Sequence, residues 1–173
     1  MQDLKIYENS YLIIGGPKTK KSEVSSVLSK ELNYKLINLD REKHSYFNDF
    51  TDYDSSKYYN LLDSNFERAI NYIHKYEMLH LNYILDNISE YVVIDFGNTY
   101  TLINDKDILN KIKLFKNIVL LSSDNNELSD FEKKLTNNKI LKEIRTIEIN
   151  IDNKNTNNII KEILNNKEFK EIL

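Results

Sequence analysis

The stretch YLIIGGPKTKKS, residues 11–22, decides the fold. Four apolar residues open it, two of them β-branched, which is the composition of a short buried strand. The run stops at Gly15-Gly16-Pro17, and Val24, Val27, Leu28 and Leu32 then recur at helical spacing over residues 22–32. Strand, glycine turn and helix in that order put the turn at the carboxyl end of a strand. Ligands of open α/β sheets bind beyond that end. Against the pattern G-x-x-x-x-G-K-[ST], residues 15–22 supply the first Gly, the Lys (Lys21) and the Ser (Ser22), with Lys20 in place of the second Gly. In such a loop the backbone N–H groups and the helix N-terminus point at phosphate oxygens. The lysine reaches the β- and γ-phosphates, and the hydroxyl binds Mg²⁺. Lys21 and Ser22 are the candidates for those tasks, with Gly15, Gly16, Lys18, Thr19 and Lys20 as the rest of the cradle. A side chain at residue 20 is expected to crowd the phosphates, and a left-handed backbone there costs about 1–2 kcal/mol. Lys18, Lys20 and Lys21 together make a local positive charge that attracts an anion.

Outward from this stretch, apolar runs alternate with longer amphipathic ones. Residues 35–39, 91–95, 117–121 and 145–151 read as four more strands. Helices are expected over residues 55–88 (with a break near Asp63-Ser64), 107–115, 127–135 and 155–164. Five strands interleaved with helices predict a single α/β domain over residues 1–173, with a parallel sheet covered on both faces. Residues 44–56 are polar and read as the longest loop.

Asp40 is expected to close the second strand, on the same sheet edge as the glycine turn. A carboxylate there orients a hydroxyl acceptor and takes its proton; the plainer alternative is a helix cap ahead of Arg41-Glu42-Lys43. Asp95 follows four apolar or aromatic residues at the end of the third strand, the pattern that holds Mg²⁺ directly or through water beside a phosphate loop. Lys21, Asp40 and Asp95 are thus the candidate catalytic residues, and Ser22 and Asp95 the candidate metal ligands. Gly97 is expected to let the backbone turn beside the ligand.

Composition removes other classes. The chain has 173 residues, three glycines, one proline and no cysteine, so disulfides, thiolate chemistry and cysteine-rich zinc sites are excluded. A net charge of −3 gives no general case for nucleic acid or an anionic membrane. No apolar run approaches the about 20 residues of a membrane span, and the first residues lack a signal-peptide core, so a cytoplasmic location is the default expectation. Asp95-Phe96-Gly97 spells the protein-kinase metal motif, but no H-R-D segment precedes it. His44, His74 and His80 lack the spacing of a metal set. The tyrosines between residues 58 and 83 read as core and rim.

These pieces resemble the shikimate kinase family, and small P-loop kinases more broadly. Residues 11–22 are similar to the family's first strand and phosphate loop, and LSKELNYKLINLD, residues 28–40, to its helix and second strand. NIVLLSS (117–123) is similar to the fourth strand, and IEINID (147–152) through IIKEIL (159–164) to the last strand and helix. The resemblance implies a three-layer P-loop NTPase fold with the sheet in the order 2-3-1-4-5, and ATP and Mg²⁺ at the loop. It implies Lys21 and Ser22 for phosphate and metal, and Asp40 for the acceptor hydroxyl. The departures are specific. Lys20 replaces a glycine, Asn38 replaces the first Asp of D-x-D, and Asp95-Phe-Gly-Asn-Thr99 replaces a G-G-G segment. The arginines are Arg41, Arg68 and Arg145, none of them in the lid expected over residues 123–139. Arginine forks suit carboxylate and phosphate, so Arg68 is the candidate substrate contact, Lys133, Lys134 or Lys139 would serve in the lid, and shikimate is not the expected substrate. Two functions follow. One is an ATP-dependent kinase of another small hydroxylated metabolite. The other is a catalytically inactive relative that acts as a regulatory or protein-interaction module.

Overall fold

The computed structural model describes residues 6–124, 127–136 and 138–170. Its sheet has five strands: β1 (Tyr7–Gly15), β2 (Lys35–Asn38), β3 (Val92–Asp95), β4 (Phe115–Ser122) and β5 (Ile147–Asn150). All pairings are parallel, in the order β2-β3-β1-β4-β5, which is the order the resemblance implies. Parallel neighbours need crossovers, and helices on both faces make them.

Along β1 the side chains alternate between two cores. Tyr11 and Ile13 pack with Val24 and Leu28 of α1 (Lys21–Leu32) and with Ile159, Ile160 and Ile163 of α8 (Thr156–Lys170). Leu12 and Ile14 pack on the other face, with Leu81, Ile84 and Leu85 of α4 (Phe66–Asn87), Ile108 and Ile112 of α5 (Lys106–Ile112), and Leu141 and Ile144 of α7 (Lys139–Ile144). A strand buried on both faces reads as a continuous apolar run, which is why the central strands stand out in the sequence. Among the described residues no helix is long and apolar enough to cross a membrane.

Three details differ from expectation, and one expected break is located. β1 begins at Tyr7 rather than residue 11, since Tyr7 stacks on Phe115 at 4.6 Å and donates its backbone N–H to Leu114. The polar Glu8-Asn9-Ser10 hides this extension, and Asn117 Nδ2 stitches it by donating to the carbonyls of Glu8 and Ser10. The expected loop over residues 44–56 is largely α2 (Leu39–Phe50). Asn38 caps α2 by accepting the Arg41 N–H, and buried Phe47 anchors it against Ile73 and Tyr76. The long helical region divides at the expected place, into α3 (Ser55–Ser64) and α4, where Asn65 caps α4 through the Arg68 N–H. Finally, residues 127–135 yield one short helix, α6 (Asp130–Thr136).

Candidate functional site

The glycine turn follows β1 directly. A Cβ on Gly15 would lie 2.5 Å from the Leu121 carbonyl oxygen and 2.9 Å from Thr19 Oγ1, so β4 leaves no room for a side chain there. Thr19 is buried and donates its hydroxyl to the Gly16 carbonyl at 2.7 Å, which closes the turn on itself. Lys18 and Lys20 both adopt left-handed backbone, with φ of 62° and 57°. Each therefore carries the steric cost that glycine would avoid, about 1–2 kcal/mol. The side chain of Lys20 leaves the turn: its Nζ donates to the Lys154 carbonyl at 3.1 Å, in the segment after β5. Lys18 also turns outward, donating to the Glu127 carbonyl at 2.9 Å and lying 3.8 Å from the Glu132 carboxylate.

Lys21 is the first residue of α1 and is buried. Its Nζ donates to the Gly16 carbonyl at 2.9 Å and to Asn98 Oδ1 at 2.5 Å. Burial pushes its pKa down to about 8, although Asp95 and Asp40 both pull it upward. Asp95 sits at the end of β3, in register with Asn38 of β2. Asn38 Nδ2 donates to its Oδ2 at 2.6 Å, and the Ser22 hydroxyl also hydrogen-bonds its carboxylate. Burial raises the Asp95 pKa, while Ser22 and Lys21 draw it back. A hydroxyl and a carboxylate side by side are the oxygen donors that Mg²⁺ takes when phosphates and water complete its shell. No group of three or more His, Cys, Asp or Glu capable of holding a metal occurs among the described residues. Ser22 and Asp95 are a pair of oxygen donors that fits Mg²⁺.

Asp40 lies in the first turn of α2 and not at the strand end, because β2 stops at Asn38. The capping role falls to Asn38, which leaves the Asp40 carboxylate free of that task. Gly97 makes its approach to the end of β3 feasible: a Cβ there would lie 2.6 Å from Asp40 Oδ1 and 2.7 Å from Tyr100 Cδ2. Its φ is not left-handed, so glycine is required for space and not for a turn.

Beside Asp40 is a set of residues that the sequence reading does not single out. Lys43 Nζ lies 3.0 Å from both Asp40 Oδ1 and Glu77 Oε1. Thr99 donates its hydroxyl to the same Glu77 oxygen at 2.6 Å. Glu77 is fully buried, and its Oε2 has no hydrogen-bond partner. Burial alone would lower the Lys43 pKa, but Glu77 and Asp40 hold it above the ordinary lysine value. Behind this set the Tyr100 hydroxyl and His80 Nδ1 share a hydrogen bond of 2.7 Å. Burial raises the tyrosine pKa and, with Lys43, lowers that of His80 to about 4, so both groups are neutral. The available signal for Glu77 was a lone carboxylate on the apolar stripe of α4.

Arg68 is exposed, in the first turn of α4. Nine residues separate it from Glu77, about 13.5 Å along a helix and about half a turn around it. The structure thus places Arg68 away from the Asp40–Lys43–Glu77 set. The lid segment is described except for residues 125, 126 and 137. Phe131 of α6 meets Phe66 of α4 edge-on at 4.8 Å, and both line a cavity of about 410 Å³ with Ile70, Leu102 and Lys134. Lys133 lies 4.0 Å from Asp130, and Lys139 opens α7.

No family model and no curated protein matches this chain by sequence. Solved structures do match it over nearly its whole length. Shikimate kinase from Aquifex aeolicus superposes with a TM-score of 0.62 at 19% identity, covering 94% of this chain and 98% of its own. Shikimate kinase from Acinetobacter baumannii, solved in complex with shikimate, gives 0.65 at 12% identity, covering 97% and 96%. A gluconokinase from Sinorhizobium meliloti gives 0.55 at 13% identity, covering 95% and 94%. With the strand order and the glycine turn of β1, these similarities establish that the chain has the fold of the small P-loop kinases, shikimate kinases among them.

Proposed function

We propose that this protein is an ATP-dependent kinase that phosphorylates a small hydroxylated compound. The observation that carries the reading is the convergence of Lys21, Ser22 and Asp95 at one sheet edge while the Lys20 side chain is drawn off to the Lys154 carbonyl. The loop's backbone N–H groups and the amino end of α1 receive the phosphates. Lys21 exchanges its bond to the Gly16 carbonyl for β- and γ-phosphate oxygens. Ser22 and Asp95 would hold Mg²⁺, whose charge would offset that of the phosphates. Asp40 takes the acceptor proton as the acceptor oxygen bonds to the γ-phosphorus and the bond to the β-phosphate oxygen breaks, leaving ADP.

One observation favours the alternative of a non-catalytic module. Lys21 is already satisfied inside the protein, by Gly16 and Asn98, so the turn is closed without a ligand. Turnover separates the two. The kinase reading predicts ADP release that depends on an added hydroxylated compound and falls at least about a hundredfold in Asp40→Asn. ATP binding with no acceptor-dependent ADP release across a broad panel of alcohols favours the module.

A further inference from the structure

The acceptor end of the site has a distinctive charge balance. Two carboxylates, Asp40 and Glu77, share one ammonium, that of Lys43, which leaves one net negative charge. Lys21 and Asp95 both act on Asp40 as well, but as one positive and one negative charge they leave this balance unchanged. Arg68 points its part of α4 elsewhere, being about half a turn away from Glu77. Lys57 and Lys75 lie over the rings of Tyr72 and Tyr76, at 5.0 Å and 4.4 Å. The unmet hydrogen-bonding capacity is an acceptor's: Glu77 Oε2 is buried with no donor, and an unpaired buried carboxylate oxygen is costly. The Asp40 side chain remains about half exposed.

We propose that the acceptor substrate is a small amino alcohol: its hydroxyl is presented to Asp40, and its ammonium group is attracted by the Asp40–Glu77 carboxylates. A carboxylate or phosphate in the same place would meet like charge from Asp40 and Glu77, and the Lys43 ammonium is already shared between those two. Lys43 then has a positioning role. It holds the two carboxylates together without cancelling them. This inference rests on the kinase reading and names the chemical class of its acceptor.

Three ring compounds that differ in one group test it: amino-, hydroxy- and carboxy-substituted cyclohexanol, titrated into the ¹⁵N-labelled full chain. The amides of residues 40, 43, 97 and 99 report the acceptor end. The amino compound is expected to shift these amides with a Kd at least about tenfold below that of the carboxy compound, the hydroxy compound falling between them. Glu77→Gln is expected to shrink the amino-to-carboxy preference about tenfold while amides in β4 and β5 stay unmoved, an effect that a purely structural Glu77 would not produce. Should that variant unfold, Asp40→Asn at the exposed position gives the same readout. Tighter or equal binding of the carboxy compound, an unchanged preference in the variant, or no shift by any of the three overturns the proposal. MgATP titrated into the same sample reports on the amides of residues 15–22, so failure of the kinase reading is seen separately from failure of the acceptor class.

Discussion

Lys20 adopts a φ of 57°, a backbone region that glycine enters without steric cost and lysine does not. Its side chain has been disposed of by a hydrogen bond to Lys154, so the remaining conflict is local to the backbone. Lys20→Gly is therefore expected to stabilise the protein by roughly 0.5–1 kcal/mol, the relief of strain being partly offset by greater freedom in the unfolded chain. Thermal denaturation checks this, and a lower melting temperature would contradict it. Gly97 makes the opposite case. Gly97→Ala places a methyl group against Asp40 and the buried Tyr100 ring, and is expected to cost about 1–3 kcal/mol in denaturant unfolding. Wild-type stability in that variant would show that Asp40 does not need the space.

At the scale of elements, Asn38 joins three of them: it ends β2, caps α2 and donates to Asp95 of β3. Asn38→Ala removes the cap and leaves the buried Asp95 oxygen without that donor, so a loss of about 1–3 kcal/mol is expected in urea unfolding. A loss below about 0.5 kcal/mol would mean that Asn38 serves neither neighbour. The elements differ in how legible they are. The five strands can be read from sequence because the central ones are buried on both faces and keep unbroken apolar runs. α2 cannot, because only Leu39 and Phe47 of its twelve residues are buried and the rest resemble a polar loop. The loop residues Gly15, Lys21 and Ser22 are contiguous and carry a pattern. Lys43 and Glu77 stand 34 positions apart, and only the packing of α2 against α4 brings them together. No local pattern announces such a pair. Arg68 had composition in its favour as one of three arginines, but helix periodicity turns it away from the set.

Over the whole molecule, the buried His80–Tyr100 pair links the acceptor end to the core beneath the sheet. His80 has its pKa lowered to about 4 in the folded chain against an ordinary value near 6.5. A depressed folded value means that the unfolded chain binds the proton more readily. The stability associated with neutral His80 is thus fully present above about pH 6.5 and is lost as pH falls toward 4, a difference of order 3 kcal/mol. His80→Gln should flatten the decline of stability between those pH values; an unchanged slope would assign acid sensitivity to other groups. The central claim concerns the carboxyl end of β1, where a turn with lysines at two left-handed positions is read as a working phosphate cradle. Isothermal titration of the intact chain with ATP, with and without Mg²⁺, tests it most directly. The predicted result is Mg²⁺-dependent binding that Lys21→Ala weakens at least about tenfold. No binding at millimolar ATP, or binding indifferent to Lys21→Ala, would contradict it.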